Sequence, residues 1–351
     1  MTTEQIIPDS EVVSAKVVLG RIAAWVFLAL LLYAAILVIV SFPIGVYTVF
    51  FTHLSNSTTA ASLGTPYLWL GPVALLLPFQ TSVGVAFLAA SAVYVAMFVF
   101  ALTQGRGALE TIAAALRNGV GEFFANAGLV TLIAIGFFIY TASIVINITS
   151  AFGPPIGNPF SGIDPLQAFI GFTLAPLREE FGFRVLIIGA VAFAVSFWRS
   201  NRVALRSLWR PSIAYEGLPR YSLAVLLIVA AWALSSGVFG ACHVVCGGGG
   251  WDLGKLPEAI YGGVVLGYLY IRYGFHVAVL GHWGVDYLGS AFAFYAQGAY
   301  GIPFTSTSVP DAVFSVGLSL FGIACIIVVA YLGVRRLMVN RARAVALVGG
   351  S

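Results

Sequence analysis

Long apolar runs separated by short polar segments make up most of the chain. Runs of about 20 apolar residues can cross the hydrocarbon of a bilayer as helices. On that basis about eight candidate spans are expected, at 21–50, 68–102, 126–149, 165–198, 221–246, 258–274, 276–296 and 312–334. The second run is too long for one straight crossing and carries Pro78 in its middle. A re-entrant piece followed by a span is expected there. The sixth run is short. Lipid cannot satisfy backbone polar groups, so each span must do so internally as a helix. The expected fold class is all-α: a polytopic helical membrane protein with both termini cytoplasmic.

Composition leads to the same class. The chain has 351 residues, of which 60% are hydrophobic and 9% charged, against roughly 25% charged in an average soluble domain. Its mean hydropathy is +0.99. So few charges could not cover a soluble surface of this size, and a multi-pass protein of the cell membrane is expected, with membrane lipid as its first partner. The net charge of +4 is no sign of nucleic-acid binding, because the basic residues sit in short loops between spans. With a cytoplasmic N-terminus and alternating sides, Lys16, Arg21, Arg106, Arg117, the arginines of 199–220, Arg272, Arg335, Arg336, Arg341 and Arg343 all fall inside. Only Lys255 falls outside, in keeping with the positive-inside rule. Residues 1–20 are polar and mixed with no small-residue cleavage site, so the first span is expected to be an uncleaved anchor. The loop 199–220, with its arginines and Trp209, is expected to form an interfacial helix on anionic headgroups.

Against this background the charged stretch PLREEFGFR, Pro176 to Arg184, stands out. An ionisable group inside a span costs a few kcal/mol or more, so it is usually paired or functional. Such groups cluster in the second half of the chain. Glu179, Glu180 and Arg184 lie on the fourth span, His243 on the fifth, and His282 and Asp286 on the seventh. Glu180 and Arg184 are four apart and can pair on one helix face. In a regular helix Glu179 is rotated by roughly 100° from Glu180, leaving it to face something else. Phe239 and His243, and His282 and Asp286, are also four apart. Small residues flank these stripes, including Ser235, Ser236, Gly240, Gly263 and Gly281, and permit close helix approach. Phe239 reads as a packing residue of the cavity wall and His276 as an interfacial residue. Cys242, Cys246 and Cys325 suggest no disulfide framework. The CHVVC stretch invites a metal reading, but buried apolar cysteines are commoner.

A carboxylate with histidines inside a membrane can relay protons, bind a metal or activate water. Two histidines and a carboxylate make a possible zinc site with an open position, although no HExxH motif is present. Equally, a glutamate can take a proton from attacking water while a histidine and a side-chain donor hold the oxyanion. No GxSxG motif supports serine chemistry. Straight crossings would place His243 and His282 at different depths, so a single site requires offset or broken helices.

Glu179–Arg184 (EEFGFR), Phe239–His243 (FGACH) and His282–Asp286 (HWGVD) together resemble the EExxxR, FxxxH and HxxxN motifs of the CPBP family of intramembrane proteases. That family includes CAAX prenyl endopeptidases and abortive-infection and bacteriocin-immunity proteins. The resemblance covers about 165–296. It implies an intramembrane endopeptidase that cleaves a membrane-tethered peptide or protein substrate, prenylated or not. It also implies Glu179 as general base, Glu180 supporting it and paired with Arg184, and His243 positioning water. His282 and Asp286 would occupy the oxyanion-hole positions. Asp stands where the family has Asn; ionised, it only accepts hydrogen bonds. It would then orient His282 or bind a metal, so the cofactor expectation is none or a single divalent zinc on Glu179, His243 and His282. The alternatives are a non-catalytic scaffold or immunity-type protein and a proton-coupled transporter. The expected organisation is an N-terminal transmembrane region (1–160), a catalytic core (161–300), and a last helix with a basic tail (301–351).

Overall fold

The computed structural model describes residues 9–349 apart from 56–61, 64–66, 71, 79, 160–161, 200–203, 247–249 and 304–308. Arg202 of the basic loop therefore lies outside the described residues. The chain is helical almost throughout. Its first helix, α1 (Asp9–Phe51), is followed by a short hairpin, β1 (Tyr67–Leu70) and β2 (Val73–Leu76). Then come α2 (Val83–Thr103), α3 (Ala108–Asn118) and α4 (Ala127–Ala151). The motif-bearing half begins with α5 (Pro165–Glu179), which widens into a π-helical segment (Glu180–Gly189) and continues as α6 (Ala190–Trp198). After α7 (Ala204–Trp209) come α8 (Leu223–Val245) and α9 (Leu256–Tyr273). Next are α10 (Phe275–Trp283), a second π-helical segment (Gly284–Leu288) and α11 (Gly289–Tyr300). The last helix is α12 (Val309–Gly349).

Among the described residues, six helical stretches are long and apolar enough to cross a membrane. They correspond to the expected first, third, fourth, fifth and eighth spans and to the second half of the second. The expected sixth and seventh spans are helical too, as α9 and as α10 through α11. They fall outside the six because α9 is short and carries Glu258 and Arg272, and the other is interrupted by His282, Asp286 and glycines. The front of the second run departs from expectation more sharply. Residues 67–70 and 73–76 pair as antiparallel strands with Leu70 opposite Val73, and Pro78 lies in the link to α2. The sequence signal was the Gly71–Pro72 dipeptide between two short apolar runs, a turn marker.

Local chemistry sets where the helices begin. Ser82, Asn126 and Ser222 cap α2, α4 and α8 through their side chains. The Asp164 carboxylate accepts from the Leu166 and Gln167 amides at 3.0 Å, with Pro165 opening α5. These side chains satisfy amides that the first helical turn leaves without partners. Helix α4 is the central strut, packed by α12, α10, α9 and α2, and all its residues from Gly128 to Gly136 are buried. Helices α8 and α9 approach through small residues: a Cβ at Gly240 would strike Ile260, and one at Gly263 the Ser236 backbone. Close backbone approach of this kind is how helices associate in lipid, where the hydrophobic effect gives no drive.

Two expectations outside the site change. His276 is fully buried, stacked on Trp209 with centroids 5.4 Å apart and edge-on to Phe100. The basic loop does hold a short helix, α7, but its Trp209 serves this aromatic stack. Cys242 and Cys246, expected as separate buried cysteines, are joined as a disulfide within one turn at the end of α8. Cys325 is free and buried.

Candidate active site

The two π-helical segments fall on two of the three motifs. A π turn holds one residue more than an α turn and is found mostly at functional sites. Here it follows Pro176, whose ring removes a backbone donor from the end of α5. Ser235 Oγ on α8 donates to the Phe183 carbonyl at 2.7 Å, so an acceptor within the widened turn is satisfied from the neighbouring helix. Gly182 lies in the same segment, where a Cβ would strike the backbone of Trp69 on β1. The hairpin therefore rests directly on the motif-bearing turn. Arg178 extends the contact, its guanidinium 4.5 Å from the ring centre of Tyr67.

The two glutamates, at the junction of α5 and the π-helical segment, depart from the expected geometry. Rather than diverging, both reach one imidazole. Glu180 Oε1 lies 2.9 Å from His282 Nδ1, and Glu179 Oε2 lies 3.8 Å from His282 Nε2. The other oxygen of Glu180 lies 3.2 Å from Arg184 Nε. Asp286, one turn beyond His282, brings Oδ2 to 3.2 Å from Nε2. Glu180 and Arg184 are fully buried, whereas the Glu179 and Asp286 side chains are each 19% exposed. The cluster thus has a closed side, built by the ion pair, and a more open side faced by two carboxylates.

Phe239 connects the remaining members. Its ring lies beneath the Arg184 guanidinium at 4.3 Å, and its centroid is 4.6 Å from that of His243 and 5.8 Å from that of His282. The two histidines therefore lie no further apart than the sum of those spans, and the depth mismatch of straight crossings does not arise. Phe239 is more than cavity wall, since it carries a cation and two imidazoles. His243 Nδ1 lies 2.9 Å from the Phe239 carbonyl. A carbonyl can only accept, so Nδ1 carries a proton, and in the neutral ring Nε2 is the acceptor.

This arrangement bears on metal binding. Among the described residues no group of three or more His, Cys, Asp or Glu is placed to hold a metal ion. At His282 both ring nitrogens face carboxylate oxygens, Nδ1 at 2.9 Å from Glu180 and Nε2 at 3.2 Å from Asp286, so neither is turned toward an open ligand position. The expected zinc ligands Glu179, His243 and His282 are not gathered into such a group among the described residues. Asp286 Oδ2 lies within reach of His282 Nε2, as the orienting alternative would require.

Residues that the motifs did not reveal also shape the site. Tyr67 and Trp69 on the hairpin cover the π-helical turn, and Ser235 supports it. Trp283 stacks on Phe42 and Tyr287, at 5.1 and 4.9 Å, and so anchors the end of α10 beside His282. Only the turn dipeptide hinted at the hairpin; the others look like ordinary apolar or small positions.

No curated protein and no solved structure matches the chain. Residues 162–288 match the family model described as type II CAAX prenyl endopeptidase Rce1-like. The matched stretch starts just before the cap of α5, ends two residues after Asp286, and contains Glu179, Glu180, Arg184, Phe239, His243, His282 and Asp286. The match supports membership of the CPBP family, the family that the three motifs resemble.

Proposed function

We propose that the protein is a CAAX-type intramembrane endopeptidase that hydrolyses a peptide bond in a membrane-tethered substrate, with Glu179 as general base. Family membership supports protease activity in general terms. The observation carrying the assignment is the contrast between the two adjacent glutamates. Glu180 is fully buried, hydrogen-bonded to His282 Nδ1 through Oε1 and ion-paired with Arg184 at 3.2 Å through Oε2, although that oxygen makes no hydrogen bond. Glu179 is held more loosely: its side chain is 19% exposed, its Oε2 makes no hydrogen bond among the described residues, and its nearest cationic partner is His282 Nε2 at 3.8 Å. A carboxylate oxygen without a donor, on the more open side of the cluster, is suited to take a proton from water.

In this reading water adds its oxygen to the scissile carbonyl carbon while Glu179 accepts its proton. His282, oriented by Glu180, presents Nε2–H toward the developing oxyanion, with Asp286 as its acceptor in the resting site. His243 Nε2 supplies an acceptor for the same water across the Phe239 ring. As the C–N bond breaks, Glu179 returns the proton to the leaving amine. Glu180, Arg184 and Asp286 are positioning residues.

The test is cleavage of prenylated and unmodified C-terminal peptides by the protein in proteoliposomes, with products identified by mass. Glu179→Gln should lower turnover by about 100- to 10,000-fold, the range for loss of a general base, without changing the thermal unfolding midpoint. Undiminished cleavage by that variant would remove Glu179 from the mechanism. No cleavage of any tethered peptide by the wild type would favour the non-catalytic reading.

A further inference from the structure

A cavity of about 1120 Å³ lies far along the chain from the motif residues, between the first half of α1 and the middle of α12. Its walls are divided by chemistry. Val26, Phe27 and Leu30 line it from α1, and Ala324, Ile327 and Val328 from α12. The two helices meet at its base, where Phe27 and Phe321 lie 6.0 Å apart. At the other end stand Arg21, Arg117 and Arg335, contributed by α1, α3 and α12. All three are exposed, and none forms an ion pair among the described residues. A neighbouring cavity of about 420 Å³ adds Arg220 and Arg336 and shares Arg335, so positive charge continues around that rim.

The dimensions fit one class of ligand. From Arg21 to Leu30 is nine residues, or about 13 Å of helix, and from Arg335 to Ala324 is eleven, or about 16 Å. One leaflet of a bilayer is about 15 Å of hydrocarbon. The groove therefore runs one leaflet deep from a basic rim, and its rim arginines all belong to the set that the charge rule places on one face of the membrane. Arginine's planar fork of donors matches a phosphate.

We propose that this groove binds one anionic phospholipid, with its phosphate among Arg21, Arg117 and Arg335 and an acyl chain between α1 and α12. The site is separate from the motif cluster and does not depend on the proteolytic reading.

The experiment uses the purified full chain in mild detergent, with native mass spectrometry counting adducts and thermal unfolding as a second measurement. Phosphatidylglycerol, phosphatidylcholine and soluble glycerol phosphate are the probes. One phosphatidylglycerol should be retained per chain and should raise the unfolding midpoint. Phosphatidylcholine should do neither, and glycerol phosphate should not displace the lipid. Replacing all three arginines by glutamine should weaken retention by about 100-fold, given the contribution of each basic group near anionic lipid. Replacement by lysine should restore most of it. Equal retention of phosphatidylcholine, displacement by glycerol phosphate, or unchanged retention in the glutamine variant would each overturn the proposal. So would a chain that carries no lipid or associates through this face as a dimer. If the glutamine variant does not fold, the selectivity among the three probes on the wild type decides.

Discussion

The ion pair between Glu180 and Arg184 allows stability and function to be separated. Both side chains are fully buried, with Arg184 Nε 3.2 Å from Glu180 Oε2 and the guanidinium 4.3 Å from the Phe239 ring centre. Changing Arg184→Met leaves the buried Glu180 carboxylate with His282 alone, and breaking a buried pair in this way costs about 3–5 kcal/mol. Adding Glu180→Met removes that charge, and apolar replacement of a buried pair is often neutral or better. The double variant still leaves His282 Nδ1 without its partner at 2.9 Å, a deficit of about 1–3 kcal/mol. The expected order of stability is therefore wild type, then the double variant, then Arg184→Met. Cleavage should not follow that order. Without Glu180 the imidazole loses its orienting acceptor, and misplacement of a catalytic group by about 1 Å can cost about 100-fold. The double variant should thus recover folding but not turnover. The assays are chemical unfolding in detergent micelles and peptide cleavage in proteoliposomes. A cost below about 1 kcal/mol for Arg184→Met would show a solvated pair. Restored cleavage in the double variant would refute the orienting role of Glu180.

Three other outcomes follow from the site. Gly182→Leu would drive a side chain into Trp69, so the hairpin 67–76 should lose protection in hydrogen exchange and cleavage should fall; unchanged exchange there would refute the contact. Asp286→Asn keeps an oxygen acceptor beside His282 Nε2 and should retain activity within about tenfold, whereas Asp286→Leu should lose about 100-fold, as when one member of an oriented set is removed; equal rates would show that Asp286 has no orienting role. Chelators should leave the cleavage rate unchanged, because both nitrogens of His282 already face carboxylates; a loss reversed by added zinc would reinstate the metal set.

Much of this protein is legible without coordinates. Hydropathy alone located most of the membrane-crossing helices, because the cost of exposing polar backbone to lipid acts on each span independently. The charged and imidazole residues were conspicuous for a related reason: in an apolar chain an ionisable group is costly enough to mark itself. Their helical spacing also anticipated the pairing of Glu180 with Arg184 and of His282 with Asp286.

Relations between segments were decided only in three dimensions. A uniform helical period separates Glu179 from Glu180, yet both reach His282, one at each ring nitrogen, where α5 passes into a π turn. That widening is sustained by Ser235 on another helix and by a hairpin lying on Gly182. Phe239 joins two histidines on different helices, and Arg21 and Arg335, near opposite ends of the chain, line one groove. Burial and helix formation are local energies that a short window of residues largely determines. Helix register, the placement of a widened turn and the meeting of distant side chains depend on packing between segments, and no single stretch of sequence contains that energy.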